Sequence, residues 1–310
     1  MKFEPTNQER NGVSMSSCPS LSLRNRLLRK LFRVYPFSKG RYRLMRLLEN
    51  MLDRKEHIVS DLFGRYRFLL NLGNRDLEST FYYFMPERYE PGTQQYIRQA
   101  VRDGMLTLDI GAHIGLYTVL LAHQAGPSGR VYSFEPELKN FTRLQKNVEL
   151  NQFHQVRPFR IALSDTTGLS HLILNEHSNT GHALKRRAEA ERRPGYSWEV
   201  IQTLTLDEFV EKEQVGKIDL MKIDTEGSED LVLAGGWKTF SGGRISEIIC
   251  EIHSSHNTSP VGQDKVRALF YAQGYHSYIL DSFLSRRAYL SELLPGEPVT
   301  GLQNLLFKKP

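Results

Sequence analysis

The chain has 310 residues, 41 Lys/Arg against 35 Asp/Glu, a hydrophobic fraction of 40% and a charged fraction of 25%. These are globular values that exclude a disordered or collagenous chain, and the length allows one large domain with an attachment or two small ones. Cys18 and Cys250 are the only cysteines, too few for a disulfide framework or a four-thiolate zinc site. No apolar run reaches about eighteen residues, and MKFEPTNQER lacks a signal-peptide core, so a reducing, cytoplasmic location is expected.

Positive charge is concentrated at the front, where residues 1–60 hold 13 Lys/Arg and 5 Asp/Glu. Residues 1–20, rich in Ser, Asn and Pro, predict a disordered tail. Residues 21–56 predict a basic amphipathic helical extension. Leu23, Leu27, Leu28 and Leu31 recur at helical spacing, as do Leu44, Leu47, Leu48, Met51 and Leu52, with a break near Pro36–Gly40. Arg24, Arg26, Arg29, Lys30 and Arg33 give the first helix a basic face, and Arg41, Arg43 and Arg46 the second. Such faces suit a weak peripheral contact with an anionic membrane, or the phosphates of a nucleic acid. The competing reading is a solvated face with the leucines buried on the chain's own domain, the usual arrangement of an amphipathic helix. No aromatic-basic RNA motif, zinc-finger spacing or heptad repeat supports a nucleic-acid partner.

Residues 57–100 predict a hairpin turning at Phe63–Gly64 and a lead-in helix that ends at Gly104, with an aromatic cluster at Phe81, Tyr82, Tyr83 and Phe84 between them. From residue 101 to 310, strand and helix patterns alternate. MLTLDI, RVYSFE, VRPFRIAL, KIDLMKI, RISEIICEI, HSYIL and NLLFKK read as strands, and the stretches around 115–125, 138–151 and 228–240 as helices. Residues 166–205 form an insertion. The pattern predicts an α/β protein, a Rossmann-like doubly wound sheet of seven strands.

The segment Thr107–Gly115 joins an apolar strand to a helix through a glycine turn, the place where a parallel sheet offers bare backbone to a ligand. Gly111 and Gly115 suit the turn, but His113 stands where a pyrophosphate would need glycine, and no Gly-Lys-Ser/Thr ending makes a P-loop. Asp109 ends that strand. Glu135 ends the next, twenty residues after Gly115, where such folds place the acid that holds a ribose diol. Two acids and no phosphate cradle favour a cationic nucleoside, S-adenosyl-L-methionine. An NAD-dependent oxidoreductase and a binding module without catalysis are the alternatives.

DIGAHIGLYT, VYSFEPELKNFTRLQKNVELN, IALSD, TLTLDEF, KIDTEGSEDLVLAGG and ICEIH occur here in the order and approximate spacing of the FkbM-type methyltransferases, and the chain resembles that family of class I S-adenosylmethionine-dependent enzymes from about Tyr89 to about His253. It departs where the family commonly has Asn (His113) and an aliphatic residue (Thr225). The resemblance implies that Asp165, with Ala162 and Leu163, meets the adenine, and that Glu90 closes the methionine end of the cofactor. It further implies that the KIDTEGSE block faces the transferred methyl, and that the acceptor is a hydroxyl of a sugar, glycan or secondary metabolite.

Methyl transfer needs collinear acceptor, carbon and sulfur, a base for an alcohol acceptor, and no metal. Alternation on IDLMKI puts Lys222 and Asp224 on one side of the strand, with Glu226 just beyond; a lysine in an apolar strand needs a carboxylate partner. Glu251 and His253 share a side of the following strand, and either suits the removal of a hydroxyl proton. Glu229 reads as a first-turn acid of the next helix. A metal held by Glu251, His253 and His256 is the weaker reading of that strand end.

Overall fold

The computed structural model describes residues 21–35, 40–53, 55–72, 76–175, 183–185, 196–253, 263–280, 290–299 and 302–309. The tail expected over residues 1–20 and the segment 36–39 at the helix break lie outside these, as do Cys18 and His256. The described residues fall into two compact units, one running to Tyr89 and the other starting at Glu90.

The first unit holds α1 (Leu23–Val34), α2 (Arg41–Glu49), β1 (Glu56–Leu62), β2 (Tyr66–Asn71) and α3 (Leu77–Phe84). Ser22 caps α1 by accepting from the Asn25 amide at 3.2 Å, and Asp76 caps α3 by accepting from the Ser79 amide at 2.9 Å. The hairpin turns where expected, with Phe63 and Gly64 both at positive φ.

The orientation of α1 is not the one that leucine spacing suggests. Leu23, Leu27 and Leu31 are 73%, 57% and 55% exposed, whereas Asn25, Leu28, Arg29 and Phe32 are buried. Specific partners decide this. The Tyr83 hydroxyl donates to the Asn25 carbonyl at 2.6 Å, the Asp53 amide donates to Asn25 Oδ1 at 3.0 Å, and Phe32 packs on Phe84 with ring centroids 4.9 Å apart. Arg29 is ion-paired to Asp61 and lies over the Tyr83 ring at 4.9 Å. Tyr82 and Tyr83 are themselves core residues of this unit, and Tyr89 donates to Glu78 at 3.0 Å.

The second unit opens with α4 (Pro91–Ala100), which stops four residues before the expected Gly104. It continues with β3 (Leu106–Ile110), α5 (Leu116–Ala125), β4 (Arg130–Phe134), α6 (Leu138–Leu150), β5 (Val156–Phe159) and β6 (Ala162–Leu163). Then follow β7 (Gly168–Asn175), β8 (Ala183–Lys185), β9 (Tyr196–Leu204), α7 (Leu206–Lys212), β10 (Ile218–Ile223), α8 (Glu229–Gly235) and α9 (Trp237–Ser241). The last elements are β11 (Ile245–His253), α10 (Gln263–Ala272), β12 (His276–Leu280), β13 (Leu290–Leu293) and β14 (Leu302–Lys308).

The main sheet runs β13-β12-β14-β11-β10-β3-β4-β5. The five strands from β11 to β5 are parallel, and β14, β12 and β13 pair antiparallel. This is the expected Rossmann-like arrangement with one strand more than the seven read from the sequence. The additional strand is β13, LSEL, only four residues long and mostly exposed, too short for an alternating pattern to stand out.

VRPFRIAL, read as one strand, divides. Val156–Phe159 forms the main-sheet edge, where Pro158 needs no ladder donor, while Ala162–Leu163 pairs with β9. β6, β9, β7 and β8 form a separate four-stranded sheet, to which most of the described residues of the insertion belong. The core under β4 and β5 is aromatic: Phe134 stacks on Phe159 at 5.5 Å, and Phe209 of α7 meets both edge-on at 4.8 and 5.4 Å. Among the described residues no helix is long and apolar enough to cross a membrane.

Candidate functional site

β3 ends at Ile110 in the middle of the parallel ladder, and the turn Gly111–Gly115 follows. Gly111 and Ala112 donate their amides to the Phe134 carbonyl at 3.0 and 2.9 Å, and Asp224 donates its amide to the Ile110 carbonyl at 3.0 Å. The ends of β3, β4 and β10 are thereby bound together. Gly111 has φ +81°, and a Cβ there would lie 1.8 Å from the Asp224 carbonyl oxygen. At Gly115, φ +93°, a Cβ would lie 2.7 Å from Leu144. Gly111→Ala is therefore expected to cost about 3 kcal/mol or more, because it combines a left-handed backbone with a backbone clash. Urea unfolding of the purified variant measures this, and wild-type stability would refute it.

His113 holds a left-handed conformation without being glycine, φ 50°. Its amide donates to Glu135 Oε2 at 2.9 Å, and the Glu137 amide donates to Oε1 at 2.9 Å. Glu137 in turn caps α6 by accepting from the Asn140 amide at 2.6 Å. One carboxylate thus clasps the turns after β3 and β4. Glu135 is only 6% exposed. Burial pushes its carboxyl up to about 7, against the opposing pull of His113 and of the two amides.

Asp109 lies beneath the turn. It is 1% exposed, and its Oδ2 accepts from the Thr118 hydroxyl at 2.6 Å, itself 2.9 Å from Ser133 Oγ. Burial raises its carboxyl pKa, while Lys222 and Thr118 oppose that rise. Lys222 faces Asp109 in register across β10 and β3 and is buried at 1% exposure. Its Nζ donates to Asp224 Oδ2 at 2.5 Å and lies 4.5 Å from the Tyr117 ring centroid. Burial works against the ammonium, but Asp224, Glu90 and Asp109 outweigh it and hold its pKa above the ordinary value.

Glu90 caps α4 with φ 42°, and its Oε2 accepts from the Tyr117 hydroxyl at 2.6 Å. Glu90, Asp224 and Glu251 each present a carboxyl oxygen within 4.8 Å of the others. That crowding acts on Glu251 and Asp224 in opposite directions. Burial first, then the charge of Asp224, pushes Glu251 up to about 11, so at neutral pH it carries a proton. Asp224 is pulled the other way: burial would raise it, but Lys222 and the hydrogen bond with Glu251 hold it below the usual carboxylate value. His113 adds to that pull, so the turn and the acid cluster adjoin.

The loop after β10 wraps around one acid. Glu229 Oε1 accepts from the Thr225 amide, the Thr225 hydroxyl and the Gly227 amide, each at 3.1 Å. Glu226 at φ 54° and Gly227 at φ 99° supply the bend. Glu229 is a loop brace, and Glu226 is the half-buried residue at the apex, close enough for its charge to act on Glu251.

Gly111, His113, Gly115 and Glu135 therefore meet at one turn, and Glu90, Lys222, Asp224 and Glu251 beside it. Ala162 is a buried residue of the second sheet, and Asp165 is exposed beside a cleft of about 640 Å³ that Thr205, Asp207, Gly235 and Lys238 also line. His253 ends β11, but its side chain is outside the described residues. Tyr117 and Thr118 were not anticipated. Their signal was two hydroxyl side chains in the first turn of a helix, LYTVLLAHQA, that is apolar from there to Ala122.

A parallel sheet with a glycine turn after one central strand and acids at the carboxyl ends of its neighbours is a Rossmann-like arrangement, a fold that receives its ligands outside the carboxyl ends of the strands. The methyltransferase FkbM domain family matches residues 109–277, more than half of the chain, and the chain belongs to that family. It is a methyltransferase by that membership. It is 27% identical over 190 residues to the 31-O-demethyl-FK506 methyltransferase FkbM of Streptomyces tacrolimicus, covering 51% of this chain and 70% of the relative. It is 29% identical over 168 residues to the hexuronic acid methyltransferase AglP of Haloferax volcanii, covering 53% of this chain and 63% of the relative. A solved structure titled methyltransferase FkbM, from Methylobacillus flagellatus, aligns at a TM-score of 0.40 and 14% identity, over 75% of this chain and 55% of that one.

Proposed function

We propose that the chain is an S-adenosyl-L-methionine-dependent O-methyltransferase acting on a hydroxyl of a sugar, glycan or secondary metabolite. The observation that carries this reading is the meeting of the Glu135-clasped turn with the Lys222–Asp224 pair at neighbouring strand ends. The names of the two relatives, one a methyltransferase of hexuronic acid and the other of 31-O-demethyl-FK506, support the acceptor class.

The donor set fits this cofactor. Each Glu135 oxygen accepts one amide and keeps a second lone pair for a ribose hydroxyl. With Glu251 protonated, the neighbouring cluster still sets Glu90 and Asp224 against one ammonium, a balance suited to a cationic ligand. When bound, the cofactor supplies a methyl on a positive sulfur for in-line displacement. Asp224, held ionised, orients the acceptor hydroxyl and takes its proton as the new bond forms. An acid with so low a pKa is a weak base, so orientation is its larger contribution. Protonated Glu251 acts as a donor to Asp224 and fixes its direction.

Incubation with methyl-labelled cofactor and fractionated cell extract tests the activity, and a labelled product identifies the acceptor. The ribose assignment has its own test. Diol donors favour the ionised form of Glu135, whose carboxyl in the free protein sits at about 7. Binding therefore releases a proton, and affinity rises from about pH 6 to about pH 8. Calorimetric titration should show this slope in the wild type and its loss in Glu135→Gln; parallel profiles would overturn the assignment.

A further inference from the structure

We propose that the exposed face of α1 docks the protein on an anionic lipid surface, a role beyond methyl transfer. With successive residues turning about 100° around a helix, Leu23, Val34, Leu27 and Leu31 fall within an arc of about 80°. All four are more than half exposed, at 73%, 66%, 57% and 55%. Met51, 47% exposed, extends the patch, and together with Leu28 and Arg24 three of these leucines line a shallow groove with it.

Cations flank the apolar arc on both sides. Arg24 follows Leu31 around the helix, and Lys30, Arg26 and Arg33 precede Leu23. Arg26 and Lys30 make no ion pair among the described residues, whereas Arg24 is 3.6 Å from Asp53 and Arg33 is 3.1 Å from Asp61. The face cannot simply roll inward, because Asn25, Arg29 and Phe32 hold the opposite face by hydrogen bonds, an ion pair and a ring contact.

An apolar stripe bordered by arginine and lysine is the layout of a helix lying in a bilayer interface, with leucines among acyl chains and cations at the headgroups. The charge distribution selects this occupant. A second copy placing its own α1 face against the first would bring like cations together. Nucleic acid would use the cations but leave the leucines in water. An anionic bilayer satisfies both. Residues 1–60 hold 13 basic against 5 acidic side chains, which strengthens the attraction.

The test is co-sedimentation of the full chain with vesicles of phosphatidylcholine alone and of phosphatidylcholine with about one-third phosphatidylserine or phosphatidylglycerol. The wild type should bind the anionic vesicles at least about tenfold more tightly, and weaken as salt rises from about 0.05 to about 0.5 M. L27E/L31E and, separately, R26E/K30E should each reduce binding by about tenfold or more. These positions are on the surface, and unchanged circular dichroism and melting temperature establish that the variants fold. Absence of vesicle binding by the wild type, or equal binding by folded L27E/L31E, overturns the proposal. A wild-type dimer that L27E/L31E converts to monomer, without vesicle binding, overturns it in favour of a second copy. Salt-sensitive binding to duplex RNA or DNA in place of vesicles, lost in R26E/K30E alone, overturns it in favour of nucleic acid.

Discussion

Lys222→Met is expected to lower stability by about 3–5 kcal/mol, the usual cost of removing one partner of a buried pair, and to lower the melting temperature by about 10 °C. The variant leaves Asp224 and Asp109 facing each other without the ammonium that offsets them, in a site where Lys222 is 1% exposed. Methionine fills the stem volume, so the loss reports charge rather than a cavity. The pH dependence separates the two. In the wild type Asp224 is held below its ordinary value of 3.8, so its stabilising contribution is present above that value and fades as pH falls through its folded pKa. In the variant the carboxyls take up protons more readily, and the gap between the two proteins narrows from about pH 7 to about pH 4. Urea unfolding at both ends of that range measures this; a constant gap would point to packing instead.

Asp224→Asn is expected to cut methyl transfer by about 100-fold or more, the usual scale for loss of a positioned acid–base group. Cofactor affinity should stay within about threefold, since Glu135 and the glycine turn remain. Stability should fall less than in Lys222→Met. Burial still raises Glu251, but with Asp224 neutral the next largest cause of its rise disappears, and Glu251 ionises more readily beside Lys222. Single-turnover transfer to the acceptor, set beside calorimetric cofactor binding, measures the split. Full turnover would remove Asp224 from the chemistry, and lost cofactor affinity would move it to the cofactor's side.

The parts of the fold that the sequence made legible share a cause. MLTLDI, RVYSFE and IDLMKI are short apolar runs ending at turn residues, and burial on both faces of a parallel sheet requires that texture. Gly111 and Gly115 were legible because the turn tolerates little else. What stayed hidden depends on partners distant in sequence. Leucine spacing on α1 suggested an inward stripe, but the inward face belongs to Asn25, Arg29 and Phe32, whose partners are Asp53, Asp61, Tyr83 and Phe84. For Asp109 and Glu135, a strand-end acid can be read from one sequence. Whether it braces a turn from below, as Asp109 does, or clasps two turns, as Glu135 does, cannot. The proton on Glu251 was equally invisible, because it exists only once three carboxyls from β10, β11 and the start of α4 converge.

The break in VRPFRIAL has an implication for how this protein can change over time. Because β6 leaves the main ladder and pairs with β9, the described strands β7, β8 and β9 belong to a ladder separate from that of β3, β4 and β10. Insertions or deletions at the tips of that separate ladder leave the register of β3, β4 and β10 undisturbed. Lineages can therefore reshape its loops without shifting the register of the main sheet.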